Sequence, residues 1–285
     1  YRSTGNILAA ANALISCNNA RLGKELWTEG GEGDPIALYA AYNERDEARF
    51  CVDGMRRLHA DGAAWRECAV LYRTSAQSRV FEEALRGADV PYRVYGGMRF
   101  YERAEVKDAL AYLRLVAARE DDTAFERVVN TPVRGIGNRT LDSLRATARA
   151  ERIPLWRAAQ RLLEHRELPA RAGGALTAFL QLIERIARET AGLPLGEMLE
   201  HAIRASGLPD HYRKEGADRA ADRLENLDEL VTAAGDYTPR EDDEGLDPLA
   251  AFLAHAALES GEGQADPHQD SVQLMTLHSA KGLEF

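Results

Sequence analysis

The stretch NTPVRGIGNRTLDSL, residues 130–144, sets two glycines around an isoleucine between two helical segments, FERVV at 125–129 and RTLDSLRATARA at 139–150. Gly135 and Gly137 permit a tight turn and bare the backbone, because neither carries a Cβ. The amides there, with the N-terminus of the next helix, suit a phosphate. Ile136 would be the inward peg, and Arg134, Arg139 and Thr140 can add side-chain contacts to a duplex backbone. The pattern fits a helix-hairpin-helix that grips DNA without reading its sequence. It fits equally an αα-turn closed by a glycine cap.

A second group of chemically capable residues lies in TLHSAKGLEF, 276–285. Thr276 and His278 can donate to a phosphate, Glu284 can accept from a sugar hydroxyl, and Lys281 precedes Gly282 where a tight turn is needed. In AVLYRTSAQSRVFEEAL, 69–85, Arg73 stands where a strand gives way to a helix, placed to bind an anion, and Thr74 or Ser75 can cap that helix. Taken alone, an ordinary capped helix with surface arginines is the better reading there. In YGGMRFYERAEVKDALAYLRL, 95–115, aromatic and basic residues interleave: Tyr95, Arg99, Phe100, Tyr101, Arg103 and Lys107. Such mixing suits base stacking and phosphate contacts. Phe100 and Tyr101 read at least as well as core residues at a domain junction, and Lys107 alone as a surface lysine.

The elements that position these groups follow from periodicity. SVQLM at 271–275 reads as a buried strand, which puts Thr276 and His278 at a strand's C-terminal edge, where α/β proteins gather ligand chemistry. PIALYAAY at 35–42, ECAVLYR at 67–73 and PYRVYGG at 91–97 also read as strands, separated by the amphipathic helices NERDEARFCVDGMRRLHADG and SAQSRVFEEALRGADV. That alternation predicts a parallel α/β unit. YRSTGNILAAANALI predicts an opening helix capped by Ser3 or Thr4. From about 103 to 260 helical periodicity runs almost unbroken, through segments near 103–119, 122–130, 138–150, 153–165, 168–190, 195–205, 219–235 and 247–260. The simplest architecture is a helical domain inserted into an α/β domain, hinged at Gly96-Gly97 and at the linker 260–270.

Composition sets the bounds. The 285 residues suffice for two modest domains, and 45% hydrophobic with 29% charged residues is an ordinary soluble balance. No apolar run approaches the roughly 18 residues a membrane span needs, and no N-terminal signal pattern appears. Cys17, Cys51 and Cys68 are too scattered for a disulfide framework or a metal site; buried thiols in a reducing cytosol are expected. A net charge of −10 argues against a dedicated nucleic-acid coat protein but leaves room for local phosphate contacts. The acidic stretches 118–122 and 239–247 read as solvated loops or helix ends.

Together YRSTGNIL, VLYRTSAQSRVFEEAL, YGGMRFYERAEVKDALAYLRL, NTPVRGIGNRTL and VQLMTLHSAKGLEF resemble, in order, the motifs of the UvrD/PcrA/Rep superfamily 1A DNA helicases, and the likeness runs through nearly all 285 residues. The resemblance implies that 1–96 with 269–285 form most of the second RecA-like motor domain, 2A, and that 97–268 form its inserted helical domain, 2B. It implies that Tyr1 stacks on adenine, that Arg2 reaches the γ-phosphate as the catalytic finger, and that Glu284 contacts the ribose. By the same resemblance Arg73, Thr276 and His278 hold single-stranded DNA phosphates. Gly135, Ile136, Gly137, Arg139 and Thr140 belong to a duplex-binding loop, with Lys107 as a second duplex contact. The implied cofactor is ATP with Mg²⁺, held mainly by the other motor domain. The implied partners are single-stranded and duplex DNA, with repair or transcription proteins besides, in the bacterial cytoplasm at the nucleoid. The sequence departs from the family by holding no GxxxxGK[ST] and no DExx-type segment of the kind that holds Mg²⁺ and activates water. It is therefore expected to be a fragment of a longer helicase, without ATPase or unwinding activity of its own. The alternative is a DNA- or protein-binding regulatory module.

Overall fold

The computed structural model describes residues 3–18, 25–95, 97–239, 245–261 and 269–281. Three short strands, β1 (Ala69–Tyr72), β2 (Tyr92–Tyr95) and β3 (Val272–Thr276), form a parallel sheet in the order β1-β3-β2. The strand nearest the C-terminus thus occupies the middle. Its buried Val272, Leu274 and Met275 explain why: a central parallel strand is covered on both faces and reads as an apolar run. Register is fixed at both borders, with Ala69 opposite Gln273, Tyr72 opposite Thr276 and Tyr95 opposite Met275. Asp270 fastens the incoming strand, its carboxylate accepting from the amides of Trp65 (3.0 Å) and Arg66 (2.9 Å).

Helix α1 spans Gly5–Ser16, α2 Glu44–Ala60 and α3 Ser78–Gly87. Asn43 caps α2 by accepting from the Asp46 amide at 2.8 Å. At α3 neither Thr74 nor Ser75 supplies the expected cap. Gln77 instead closes the 3-10 turn at Ser75–Gln77 that precedes the helix, its Oε1 accepting from the amides of Arg73 (3.0 Å) and Thr74 (3.1 Å). Val52 and Met55 of α2 and Val80, Phe81 and Leu85 of α3 pack with Val94, Val272 and Leu274 in one hydrophobic cluster.

The stretch 35–42, expected as a strand, is not one. Leu38 and Tyr42 are each 97% exposed, and Tyr39 instead stacks on Phe50 of α2 with ring centroids 3.8 Å apart. The Tyr39 hydroxyl (2.9 Å) and the Tyr42 amide (3.2 Å) donate to Asp46. These local contacts to α2 replace sheet pairing. Cys17 is also exposed, against the expectation of buried thiols; Cys68 is buried.

The remainder is helical: α4 (Ala104–Ala117), α5 (Asp122–Val128), α6 (Asn138–Glu151), α7 (Leu155–Glu164), α8 (Ala170–Glu189), α9 (Leu195–Ser206), the short α10 (Leu208–Tyr212), α11 (Ala217–Gly235) and α12 (Pro248–Gly261). A four-residue helix, α13 (Leu277–Ala280), follows β3. Helix α4 is the axis. It is apolar around most of its circumference, so Val106, Tyr112, Leu113 and Leu115 are all fully buried among α5, α8, α9, α11 and α12. Phe125 meets Phe179 edge to face at 5.5 Å, a favoured aromatic geometry. This cluster shares no buried residue with the first.

Polar groups join the two clusters. Arg79, 2% exposed, pairs with Glu83 of its own helix at 2.9 Å and with Glu229 of α11 at 2.5 Å. Arg103 donates to Ser78 Oγ and to Asn226 Oδ1, both at 2.7 Å. Arg99 is committed to Glu102 at 3.1 Å and to the Ser260 carbonyl at 3.2 Å. Phe100 and Tyr101 lie in the helical core. The aromatic-basic stretch at 95–103 is therefore largely structural, and Arg99 and Arg103 face protein rather than solvent.

Candidate nucleic-acid interface

The turn between α5 and α6 is built by one side chain and one peg. Asn130 follows α5, and its Oδ1 accepts from the amides of Arg134 (2.8 Å) and Ile136 (3.3 Å). Ile136 is 1% exposed and plugs into the helical core. Gly135 adopts φ +83°, a left-handed conformation that favours glycine. Gly137 is the N-cap of α6, and its carbonyl accepts from the Thr140 (3.0 Å) and Leu141 (3.2 Å) amides. A Cβ added at either glycine would meet nothing within 4 Å. The amides of Gly135, Gly137, Asn138 and Arg139 have no acceptor among the described residues. All four residues are exposed, so the loop presents uncommitted N–H donors at the start of a long helix, an arrangement that attracts anions.

Two expected side-chain contacts are not where a ligand could meet them first. Arg134 turns inward: Nη1 donates to the Val128 and Pro132 carbonyls, both at 3.0 Å, and Nη2 to Tyr112 Oη (2.5 Å) and the Ser206 carbonyl (3.2 Å). Its guanidinium lies 5.4 Å from the Phe179 ring centroid. Thr140 is 8% exposed, sealed by the turn of α6 that it helps to close. Arg139 is exposed and free of ion pairs among the described residues. Lys107 stands half-buried on the first turn of α4 and lines a cavity of about 280 Å³ with Arg114, Thr123 and Arg127. Arg127 in that group is held by Asp108 at 2.7 Å.

At the sheet, register joins residues far apart in sequence. Tyr72 pairs with Thr276, so the exposed Arg73 emerges beside Thr276 at the C-terminal edge. Thr276 caps α13: its Oγ1 accepts from the Ser279 amide at 3.2 Å and lies 3.0 Å from Ser279 Oγ. His278 is exposed on the same short helix. Below this edge a cavity of about 460 Å³ opens between the sheet and helices α4 and α11, with Thr276, Ser279, Tyr95, Met98 and Arg103 among its walls. Burial pushes the Tyr72 hydroxyl up to about 12, with Glu82 nearby reinforcing the shift. Tyr1, Arg2 and Glu284 lie outside the described residues.

Sequence reading missed Asn130 and Asn226. Asn130 had a local signal, since an asparagine just past a helix commonly organises a turn through its side chain. Asn226 had none: it reaches Ser75, Arg103 and Glu105 across more than a hundred positions.

The profile of the family described as UvrD-like helicase C-terminal domain matches residues 1–285. The chain is 59% identical over 285 residues to DNA helicase II of Escherichia coli (strain K12), covering 100% of this chain and 40% of that protein. It is 53% identical over 285 residues to DNA helicase II of Haemophilus influenzae, covering 100% of this chain and 39% of the relative. It is 38% identical over 292 residues to ATP-dependent DNA helicase PcrA of Bacillus subtilis (strain 168), again 100% of this chain and 39% of the relative. The chain thus spans about two fifths of the length of these relatives. Among the described residues no helix is long and apolar enough to cross a membrane. With its whole length matched by one profile, the chain belongs to the UvrD-like helicase C-terminal domain family.

Proposed function

We propose that this chain is the second motor domain, with its helical insertion, of an ATP-dependent 3′–5′ DNA helicase acting in DNA repair in the bacterial cytoplasm. The observation that carries the reading is the pairing of Tyr72 with Thr276, which gathers Arg73 and Thr276 at one sheet edge with His278 close behind. In this reading those three side chains hold the phosphates of a single strand. The exposed amides at Gly135 and Gly137 hold a duplex, with Arg139 and Lys107 adding charge. Residues 1–96 with 269–285 are the motor part and 97–268 the inserted part; the two separate hydrophobic clusters support that division.

ATP with Mg²⁺ belongs to the same proposal, with Tyr1, Arg2 and Glu284 as its ligands on this chain. When bound, it would supply the free energy of phosphoryl transfer. Among the described residues no group of three His, Cys, Asp or Glu side chains is gathered to hold a metal ion. In this reading the metal and the rest of the triphosphate are held mainly by the other motor domain, and the 285-residue polypeptide alone, without GxxxxGK[ST], acts as a DNA-binding module rather than a motor.

Fluorescence anisotropy on labelled single-stranded and duplex oligonucleotides tests the proposal. Duplex binding should be weak and fall steeply with salt, as phosphate contacts require. Replacing both Gly135 and Gly137 with valine should weaken duplex binding by about ten-fold, since one Cβ meets a left-handed φ and both shield free amides. Arg73→Ala should weaken single-strand binding and leave duplex binding alone. Binding indifferent to salt would remove the phosphate contacts and the reading with them.

A further inference from the structure

Helices α7, α8 and α9 enclose a groove of about 1170 Å³. Among the described residues it is lined by none of those proposed above to hold DNA, and it meets the hairpin through the brace Arg134. We propose that this groove docks an acidic peptide segment of a partner protein, laid along α8. The space exceeds the roughly 300–1,000 Å³ usual for a small-molecule pocket and suits a length of chain.

Charge comes first from α8. Ala178, Gln181, Arg185 and Arg188 follow one another at three- and four-residue steps, so they share one face, and all four are exposed. Neither arginine is held in an ion pair among the described residues. At the floor Arg134 adds a third positive charge. Its acceptors, three carbonyls and the Tyr112 hydroxyl, are all neutral and leave that charge uncompensated. The acid in the lining, Glu184, is already answered: Arg119 donates to its two carboxylate oxygens at 3.0 and 3.3 Å and holds its carboxyl below the usual range. The groove thus carries a local positive excess on a chain of net charge −10, which selects an acidic ligand.

Nucleic acid suits the same charge but not the floor. A single strand bound in a groove needs an open ring on which its bases can stack. Trp156, the aromatic residue in the lining, is 3% exposed, with the Arg119 guanidinium 5.5 Å from its ring and Phe125 packed at right angles to it. A duplex is too broad to settle between packed helices. What remains at the floor is aliphatic: Ala175, Leu180, Leu182 and Ala205. A peptide with one acidic and one aliphatic side satisfies both parts, its carboxylates on Arg185 and Arg188 and its apolar side chains on the floor.

The probe is a fluorescein-labelled peptide of glutamate, leucine and alanine, about four helical turns long to match α8, with its glutamates on one face and leucines beside them. A second peptide has the same composition in scrambled order. In anisotropy with the 285-residue polypeptide the ordered peptide should bind more tightly than the scrambled one. Arg185→Ala together with Arg188→Ala should weaken ordered-peptide binding about ten-fold and leave oligo-dT and duplex binding unchanged. Both side chains are exposed, so the fold is retained. Ala178→Leu changes no charge but fills the wall, and should weaken peptide binding several-fold. No peptide binding, or equal binding of the two peptides, overturns the docking groove, and indifference to Ala178→Leu places the peptide elsewhere and overturns it too. If the paired arginine changes weaken oligo-dT or duplex binding as much as peptide binding, the groove serves nucleic acid and the peptide assignment falls.

Discussion

Arg134 sits beside two glycines in a loop that can bind phosphate, yet its guanidinium is bound to Val128, Pro132, Tyr112 and Ser206 of its own chain. It acts on DNA, if the hairpin does, only by holding the hairpin in place. Tyr112 relays the tie, donating to the Thr131 carbonyl at 2.6 Å. Arg134→Met keeps the stem but leaves these acceptors unpaired, and should lower unfolding stability by about 2–4 kcal/mol, measured in urea. Sequence could not separate a ligand arginine from a structural one here. Two of its partners, Tyr112 and Ser206, are 22 and 72 positions away, beyond any local pattern. Ile136 was legible because an apolar residue between two glycines in a polar turn has one stable place to go, and it is 1% exposed.

Helix α3 has two jobs in the fold: its apolar face covers the sheet and its polar face meets the helical part. Glu82 shows the cost of the second job. It is buried and accepts from the Phe100 amide at 3.2 Å. Burial raises its pKa above the usual carboxyl range, with Ser78 and Arg103 opposing. The folded chain therefore binds this proton more tightly than the unfolded chain. Stability from Glu82 is complete below the unfolded carboxyl pKa and is lost as pH rises through the folded value. Glu82→Gln stays neutral and can still accept from Phe100. Its melting temperature should exceed that of the parent at pH 8, and the gap should close as pH falls into the acid range. A gap independent of pH would assign the effect to packing instead.

At the scale of the molecule, helices were far more legible than the sheet. Every helical segment expected between 103 and 260 is present, because each carries its own apolar stripe of about 3.6-residue period. The order β1-β3-β2 was not legible, since nothing local tells a strand near residue 272 to sit between two strands that precede it by some two hundred positions. The stretch 35–42 failed for a related reason. Its composition suits a strand, but a strand exists only with a neighbour, and among the described residues 35–41 make no backbone hydrogen bond. The site was half legible: exposed glycines announced the hairpin, whereas the polar seam of Arg103, Asn226 and Glu105 needed the fold to assemble it.

That segment has a consequence for handling the polypeptide. Peptide groups 35–41, without backbone partners among the described residues and set among the exposed Ile36, Leu38 and Tyr42, are a template on which a second chain can add itself. Concentrated solutions should grow turbid with time. Leu38→Lys should slow the rise in light scattering several-fold while leaving far-ultraviolet dichroism as it was.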